Sequence, residues 1–287
     1  MSAALPIVER NRAMLFPYSF TRALYRAPRS NAVLCQVAGY QAIPSIYRHL
    51  IHKQGVKTIA LVAPATVEGL RQRQNASRIA TSLGMRVVCE SATYRVGADD
   101  LESAVEPAVA RSPDVLALPN VAPLDASRLI GRARELGFRG LITTESAQDI
   151  EHLLSTLGRD ADGIVMVGGA SLPETRSRRM DEFVERFVRR LGAWNDEAGT
   201  KAYALEFVLG TLQVAGKAAI DDIAPFQAAI PHFAIDNPLA RTRASMAYVG
   251  QAEFQHKRQI GIPLVVNTIR QGRLETLFAQ QPEELFS

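Results

Sequence analysis

The stretch from Lys57 to Thr144 constrains the fold more than any other part of the chain. It alternates short apolar runs with longer polar segments of helical period. The runs are Thr58–Ala63 (TIALVA), Met85–Glu90 (MRVVCE), Asp114–Leu118 (DVLAL) and Gly140–Thr144 (GLITT). Each is continuous and rich in Val, Ile or Leu, the pattern of strands buried on both faces. The intervening segments predict helices over 66–83, 99–110 and 126–136, with another over 149–157. Gly163–Val167 (GIVMV) predicts a fifth strand. Strands alternating with helices mean βαβ units, a parallel sheet and right-handed crossovers. Ligands of such sheets sit outside the carboxyl ends of the strands. Four loops are therefore candidates before any motif is consulted: Pro64–Glu68, Ser91–Gly97, Pro119–Leu124 and Glu145–Asp149.

The rest of the chain follows a different grammar. Leu5–Glu9 and Ala13–Phe20 are apolar, the second broken by Pro17, which suits a strand end or a crossover. Asn31–Val37 is another apolar run. A helix is predicted over 41–54, with Pro44 in its first turn, where proline is tolerated. After Gly169, Arg176–Leu191 and Thr200–Ile220 read as helices with no strand between them, and Pro225–Phe233 as a short helix and loop. Strand character returns only at Met246–Gly250 and Ile262–Leu277, where Gln271-Gly272 marks a hairpin turn. The late helices carry apolar faces, with Phe183 and Phe187 on one and Phe207 and Leu212 on the other. Such faces need cover.

Composition excludes several classes. The 287 residues are 47% hydrophobic and 22% charged, as in an ordinary globular protein. The net charge of +4 is scattered, and its densest cluster, Arg176–Arg179 (RSRR), reads as a solvated helix start. No nucleic-acid partner is expected. Cys35 and Cys89 lie in or beside apolar runs, as buried free thiols do. No apolar run reaches the roughly 18 residues of a membrane span. The opening MSAALPIVERNR lacks the basic start and apolar core of a signal peptide. If that start is genuine, the expected location is the cytoplasm.

Catalytic patterns are absent: there is no GxGxxG, GxSxG or HExxH. Gly210–Lys217 (GTLQVAGK) imitates a phosphate loop, but its spacing is too long and Ala218 stands where a Ser or Thr is needed. His49 and His52 are a helical turn apart and read as surface histidines. Asp99-Asp100 reads as a helix cap. No enzyme, metal or cofactor is expected. Candidate binding residues lie in the sheet-top loops. Glu145 is open to two readings: an acid that receives a ligand's ammonium or amide hydrogens, or a first-turn acid beside a capping box of Ser146 and Asp149. Thr66 either caps the next helix or offers its hydroxyl to a carboxylate. Phe16, Tyr18 and Phe20 line a cleft or a core.

In this order and spacing the segments resemble the type I periplasmic solute-binding proteins, the two-lobed receptors of branched-chain amino acid, amide and urea uptake systems. Pro6–Arg10 (PIVER) with Ala13–Phe20 resembles the last first-lobe strand and first hinge. Val87–Leu101 (VVCESATYRVGADDL), Pro113–Leu118 (PDVLAL) and Ala133–Gly137 (ARELG) are similar to the second lobe. Asp162–Val167 (DGIVMV) resembles the strand to the second hinge, and Lys257–Leu277, with IRQGRLETL, the C-terminal end. The resemblance implies a small ligand held between two lobes that close about a hinge. Glu145 falls where amino acid receptors place a carboxylate, and Phe16 and Tyr18 beside the first-hinge pocket. Val67 and Asn120–Ala122 stand where the family usually has aromatic residues.

The resemblance thus implies an α/β fold of the type I periplasmic-binding-protein kind: one complete doubly wound lobe with a parallel sheet, and a second α/β lobe that is incomplete. The expected divisions are 1–21 (end of the first lobe and hinge), 22–168 (complete lobe), 169–248 (helical remainder of the first lobe) and 249–287 (crossover and hairpin). The first lobe is expected to lack its N-terminal part. The implied function is the solute-binding component of an ABC transporter for branched-chain amino acids, amides or urea. Its implied partners are a small polar ligand and a membrane permease, and its implied location is the periplasm. The ligand residues are expected to be Glu145, Tyr18, Phe16, Thr66, Asn120 and Ser146. The alternative is a cytoplasmic amide-type sensor that regulates transcription through a protein partner.

Overall fold

The seven-stranded sheet draws its strands from both the predicted βαβ run and the end of the chain. The computed structural model describes residues 4–19, 21–169, 173–194, 198–241 and 245–282. Phe20 lies outside them. The chain divides into two units. Ala38–Gly168 with Val265–Ala279 form the large-sheet unit; Met1–Val37, Gly169–Leu264 and Gln280–Ser287 form the small-sheet unit.

In chain order, the small-sheet unit opens with helix α1 (Leu5–Arg10) and an extended run in which Leu15 bridges Ala32. The large-sheet unit then begins with α2 (Gly39–Gln54), where Gln41 Oε1 accepts the N–H of Ala38 (2.8 Å). Because α2 starts at Gly39, Pro44 lies inside the helix and not in its first turn. There follow β1 (Thr58–Pro64), α3 (Val67–Ser82), β2 (Arg86–Tyr94), α4 (Glu106–Val109), β3 (Val115–Ala117), α5 (Pro123–Glu135), β4 (Leu141–Thr143), α6 (Ile150–Leu157) and β5 (Ile164–Gly168). All five predicted strands form. The small-sheet unit resumes with α7 (Arg178–Leu191), α8 (Ala198–Ala215), α9 (Ala218–Asp221), α10 (Ile223–Ala229), β6 (Ala234–Asp236), β7 (Ser245–Val249), α11 (Gln251–Phe254) and β8 (Gln259–Ile260). The hairpin β9 (Leu264–Arg270) and β10 (Arg273–Gln280) supplies the last two elements.

The large sheet runs β10-β9-β5-β4-β3-β1-β2. Its pairs β1–β2, β1–β3, β3–β4 and β4–β5 are parallel, and β9 joins β5 antiparallel. Strand order reverses between β1 and β3, the switch point at which doubly wound sheets bind ligands. Gln271 and Gly272 have φ of 50° and 71°, as a two-residue hairpin turn of the mirror-image type requires. Gly69 lets α3 sit on β1: a Cβ there would lie 2.3 Å from the Pro64 carbonyl oxygen.

Four expectations need correction here. β2 runs to Tyr94, so part of the expected loop Ser91–Gly97 is strand. It is the edge strand, and its half-exposed residues hide the apolar signal. The predicted helix over 99–110 is a 3-10 turn (Leu101–Val105) running into the four-residue α4, because Pro107 has no N–H to continue the ladder. Asp99 and Asp100 do not cap it with their side chains. Instead Arg128 holds the segment, donating to the carbonyls of Ala98 and Asp99 (2.9 Å each) and pairing with Glu102. Finally, α5 starts at Pro123, not Ala126; proline favours a helix start.

The small sheet is β6-β7-β8, antiparallel throughout. Only β7 matches a predicted strand; β6 and β8 are too short to show a period. Leu34 adds a bridge to Gln259, so the apolar run Asn31–Val37 is extended edge structure. The core is an aromatic trio of Phe207, Phe233 and Tyr248, with ring centroids 4.9–5.4 Å apart. Gly210 admits the Phe233 ring, which a Cβ would meet at 2.8 Å. The glycine of the phosphate-loop look-alike is thus a packing residue. The predicted helix Thr200–Ile220 breaks at Gly216, whose φ is 78°. Phe207, expected to lack cover, is fully buried, whereas Leu205, Leu209 and Val214 of α8 are exposed.

Candidate functional site

The carboxyl ends of β1, β3 and β4 hold four of the predicted binding residues. Each is set by its local backbone. Thr66 follows β1 as the cap of α3, its Oγ1 accepting the N–H of Gly69 (3.0 Å), and is exposed. The capping reading therefore holds in this structure. Asn120 follows β3 in left-handed backbone, φ 60°. Glu145 follows β4 with φ 57°. Non-glycine residues rarely adopt this region, and such strain clusters at ligand clamps and active sites.

Glu145 is turned into the interior, 2% exposed. Its Oε1 accepts a short hydrogen bond from Tyr47 Oη on α2, and its Oε2 is buried without a partner. Burial pushes the Glu145 carboxyl up to about 8, partly offset by the bond from Tyr47. Burial, and then the nearby carboxyl, push the Tyr47 hydroxyl well above its usual range. Near neutral pH the carboxyl is largely protonated. The first turn of α2 presses on this loop: a Cβ on Gly39 would lie 3.1 Å from the Glu145 carbonyl oxygen. Gln148, 5% exposed, donates to Ser146 Oγ (3.0 Å), while its own Oε1 is buried and unpartnered.

Ser146 makes no capping box. Its hydroxyl donates to the Thr144 carbonyl (3.2 Å), and its carbonyl accepts from Thr144 Oγ1 (2.9 Å). Asp149 caps α6 alone, accepting from His152 N–H (3.0 Å). The capping box fails because the Ser146 hydroxyl already closes its own loop.

Phe16 and Tyr18 belong to the small-sheet unit. Phe16 packs edge-on against Phe226, with centroids 6.0 Å apart. Tyr18 donates to the Thr200 carbonyl (3.3 Å), and Lys201 Nζ sits 3.6 Å from its ring centroid. Both are half-buried. Of the paired histidines, His49 stacks on Phe278 (4.9 Å). Cys35 and Cys89 are free thiols, and burial pushes Cys35 up to about 12. Sequence reasoning missed Tyr47 as the partner of Glu145. Nothing in a helix of ordinary apolar period marks one tyrosine for a carboxylate 98 residues away.

The chain matches the periplasmic binding protein family over residues 1–254 and belongs to it. Its fold is that of the type I members. A leucine-binding protein of Thermotoga maritima is 18% identical, with a TM-score of 0.74 over 99% of this chain and 77% of its own. A solute-binding protein of an R. palustris ABC transporter, solved with benzoate, is 15% identical, with a TM-score of 0.76 over 98% and 74%. A fatty acid ABC transporter substrate-binding protein of Thermomonospora curvata is 16% identical, with a TM-score of 0.74 over 99% and 73%. No curated protein matches the sequence.

Proposed function

We propose that this chain is the solute-binding component of an ABC uptake system, working with a membrane permease in the periplasm. The observation that carries this reading is the family match over residues 1–254. No helix among the described residues is long and apolar enough to cross a membrane. The similar structures concern leucine, benzoate and a fatty acid, and all three solutes carry a carboxylate. We therefore assign the ligand to small organic acids, with amides and urea as the competing class. Asn120 and Glu145, in left-handed backbone at neighbouring strand ends, support contact with ligand there, with Thr66 and Ser146 on the same edge. Phe16 and Tyr18 complete the proposed set.

The test is calorimetry of the full chain against leucine, benzoate, octanoate, acetamide, benzamide and urea. Saturable binding of any one is expected, and no heat from all six would refute the reading. For an amine-bearing ligand, Glu145 must lose its proton to pair with the ammonium. Affinity for leucine should therefore rise as pH increases toward about 8, and Glu145→Gln should abolish that rise.

A further inference from the structure

Arg258 precedes β8, and its carbonyl accepts the N–H of Leu34 (2.8 Å). The residue is 6% exposed. A guanidinium carries five donors and stays charged in proteins. Among the described residues it makes one hydrogen bond, from Nη1 to the neighbouring Lys257 carbonyl (2.9 Å). Its Nε is buried with no partner, and no described carboxylate pairs with it. Residues two apart in extended chain share a face, so Arg258 lies on the face of Ile260, which stands opposite Tyr248 in the register. Tyr248 supplies no counter-charge. Its hydroxyl is held by neutral groups, sharing a hydrogen bond with Thr211 Oγ1 (2.8 Å) and lying 3.4 Å from the Phe207 carbonyl, to which Thr211 Oγ1 also donates (2.6 Å). Burial lowers the Arg258 pKa, and Tyr248 only partly opposes this. A cation removed from water without an anion is destabilising, and removing such a charge is tolerated better than breaking a pair.

We propose that Arg258 receives the carboxylate of a small organic acid. A planar guanidinium matches a carboxylate through two parallel N–H bonds, and the free Nε supplies one of them. This inference rests on the proposed solute-binding role and adds the receiving residue.

The test is calorimetry of the full chain with benzoate, leucine and octanoate against neutral benzamide and acetamide, in wild type, Arg258→Gln and Arg258→Lys. Wild type should bind at least one of the acids. Arg258→Gln should weaken that acid by about 10- to 100-fold, the scale of a charge-assisted bond. Arg258→Lys should recover part of the loss, and any neutral solute that binds should be unaffected. Unchanged acid binding in Arg258→Gln would overturn the inference and leave the solute-binding role intact, as would binding of neutral solutes alone. No binding of any solute by wild type would overturn both. Melting of ligand-free Arg258→Met checks for a structural role. It should equal or exceed wild type; a clear fall would show that the guanidinium serves the fold, and would overturn the inference.

Discussion

Arg134 in the large-sheet unit and Arg258 in the small-sheet unit are almost equally buried, 5% and 6% exposed, and neither pairs with a described carboxylate. They are held in opposite ways. Arg134 donates to four main-chain carbonyls: Asp160 (3.2 Å), Phe138 and Gly140 (2.9 Å each) and Asp162 (3.1 Å). Its guanidinium also stands 5.7 Å from the Phe138 ring centroid. These carbonyls come from the loops before β4 and β5, so the side chain ties together the amino ends of two central strands. Arg258 has one carbonyl, from its own neighbour. A wide parallel sheet brings several loop carbonyls to one end, where a guanidinium can replace its lost water with fixed dipoles. Among the described residues, the three short antiparallel strands bring no such cluster to Arg258. At equal burial, Arg134 is held by four carbonyls of the fold, whereas Arg258 keeps donors for the carboxylate we propose it receives.

Removing the two charges should separate these roles. Arg134→Met strands four carbonyls and should destabilise the protein by about 3–5 kcal/mol in urea unfolding. Arg258→Met should equal or exceed wild-type stability. Equal losses would break the comparison.

Glu145 is one of several buried polar groups of the large-sheet unit that lack a partner, through its Oε2. Its carboxyl is raised to about 8 from an unfolded value near 4.5, so the folded state keeps a proton that the unfolded chain releases. Stability should be fully present below about pH 4.5 and decline as pH rises through about 8. Between about pH 5.5 and pH 7.5 the loss should reach about 2–3 kcal/mol, because each tenfold change in proton affinity is about 1.4 kcal/mol. Glu145→Gln should flatten that slope, and a slope unchanged by the substitution would assign it to another group.

Two glycines sharpen the contrast between units. A Cβ at Gly69 would meet the Pro64 backbone oxygen at 2.3 Å, and one at Gly210 would meet the Phe233 ring at 2.8 Å. A ring can shift more readily than a strand carbonyl. Gly69→Ala should cost about 2–3 kcal/mol and Gly210→Ala about 1–2 kcal/mol, in the range of overpacked cores. The reverse order in thermal unfolding would show the small aromatic core to be the more rigid.

The five parallel strands were legible because strands buried on both faces must be continuously apolar, and Thr58–Pro64 and Ile164–Gly168 are. Edge strand β2 was read short because Glu90 and Ser91, both exposed, interrupt that signal. β6 and β8 span three and two residues, below any detectable period. Glu145, Asn120 and Thr66 could be placed at strand ends from order alone. Their conformations could not, since nothing in the residue types marks the left-handed backbone at Asn120 and Glu145. Arg258 passed as one basic residue among many because its burial arises from pairings with Leu34 and β7.

The smallest expected difference concerns helix caps. Thr66 caps α3 through one bond, accepted from Gly69 N–H (3.0 Å), and its side chain is otherwise exposed. Ser177 caps α7 by accepting from Met180 N–H (3.3 Å), and it also donates to the Pro238 carbonyl (2.6 Å). That second bond fastens the helix start to the segment between β6 and β7. Thr66→Ala should cost about 0.5–1 kcal/mol, the value of a lone exposed cap, and Thr66→Ser should cost almost nothing. Ser177→Ala removes a cap and a tie, and should cost about 0.5–1 kcal/mol more than Thr66→Ala. If hydroxyl donation to Pro238 stabilises the small-sheet unit, Ser177→Asp should recover the cap, because a carboxylate accepts the helix N–H, but not the tie, because it cannot donate. Full recovery of the midpoint in Ser177→Asp would show that the bond to Pro238 contributes nothing and that the two caps are equivalent.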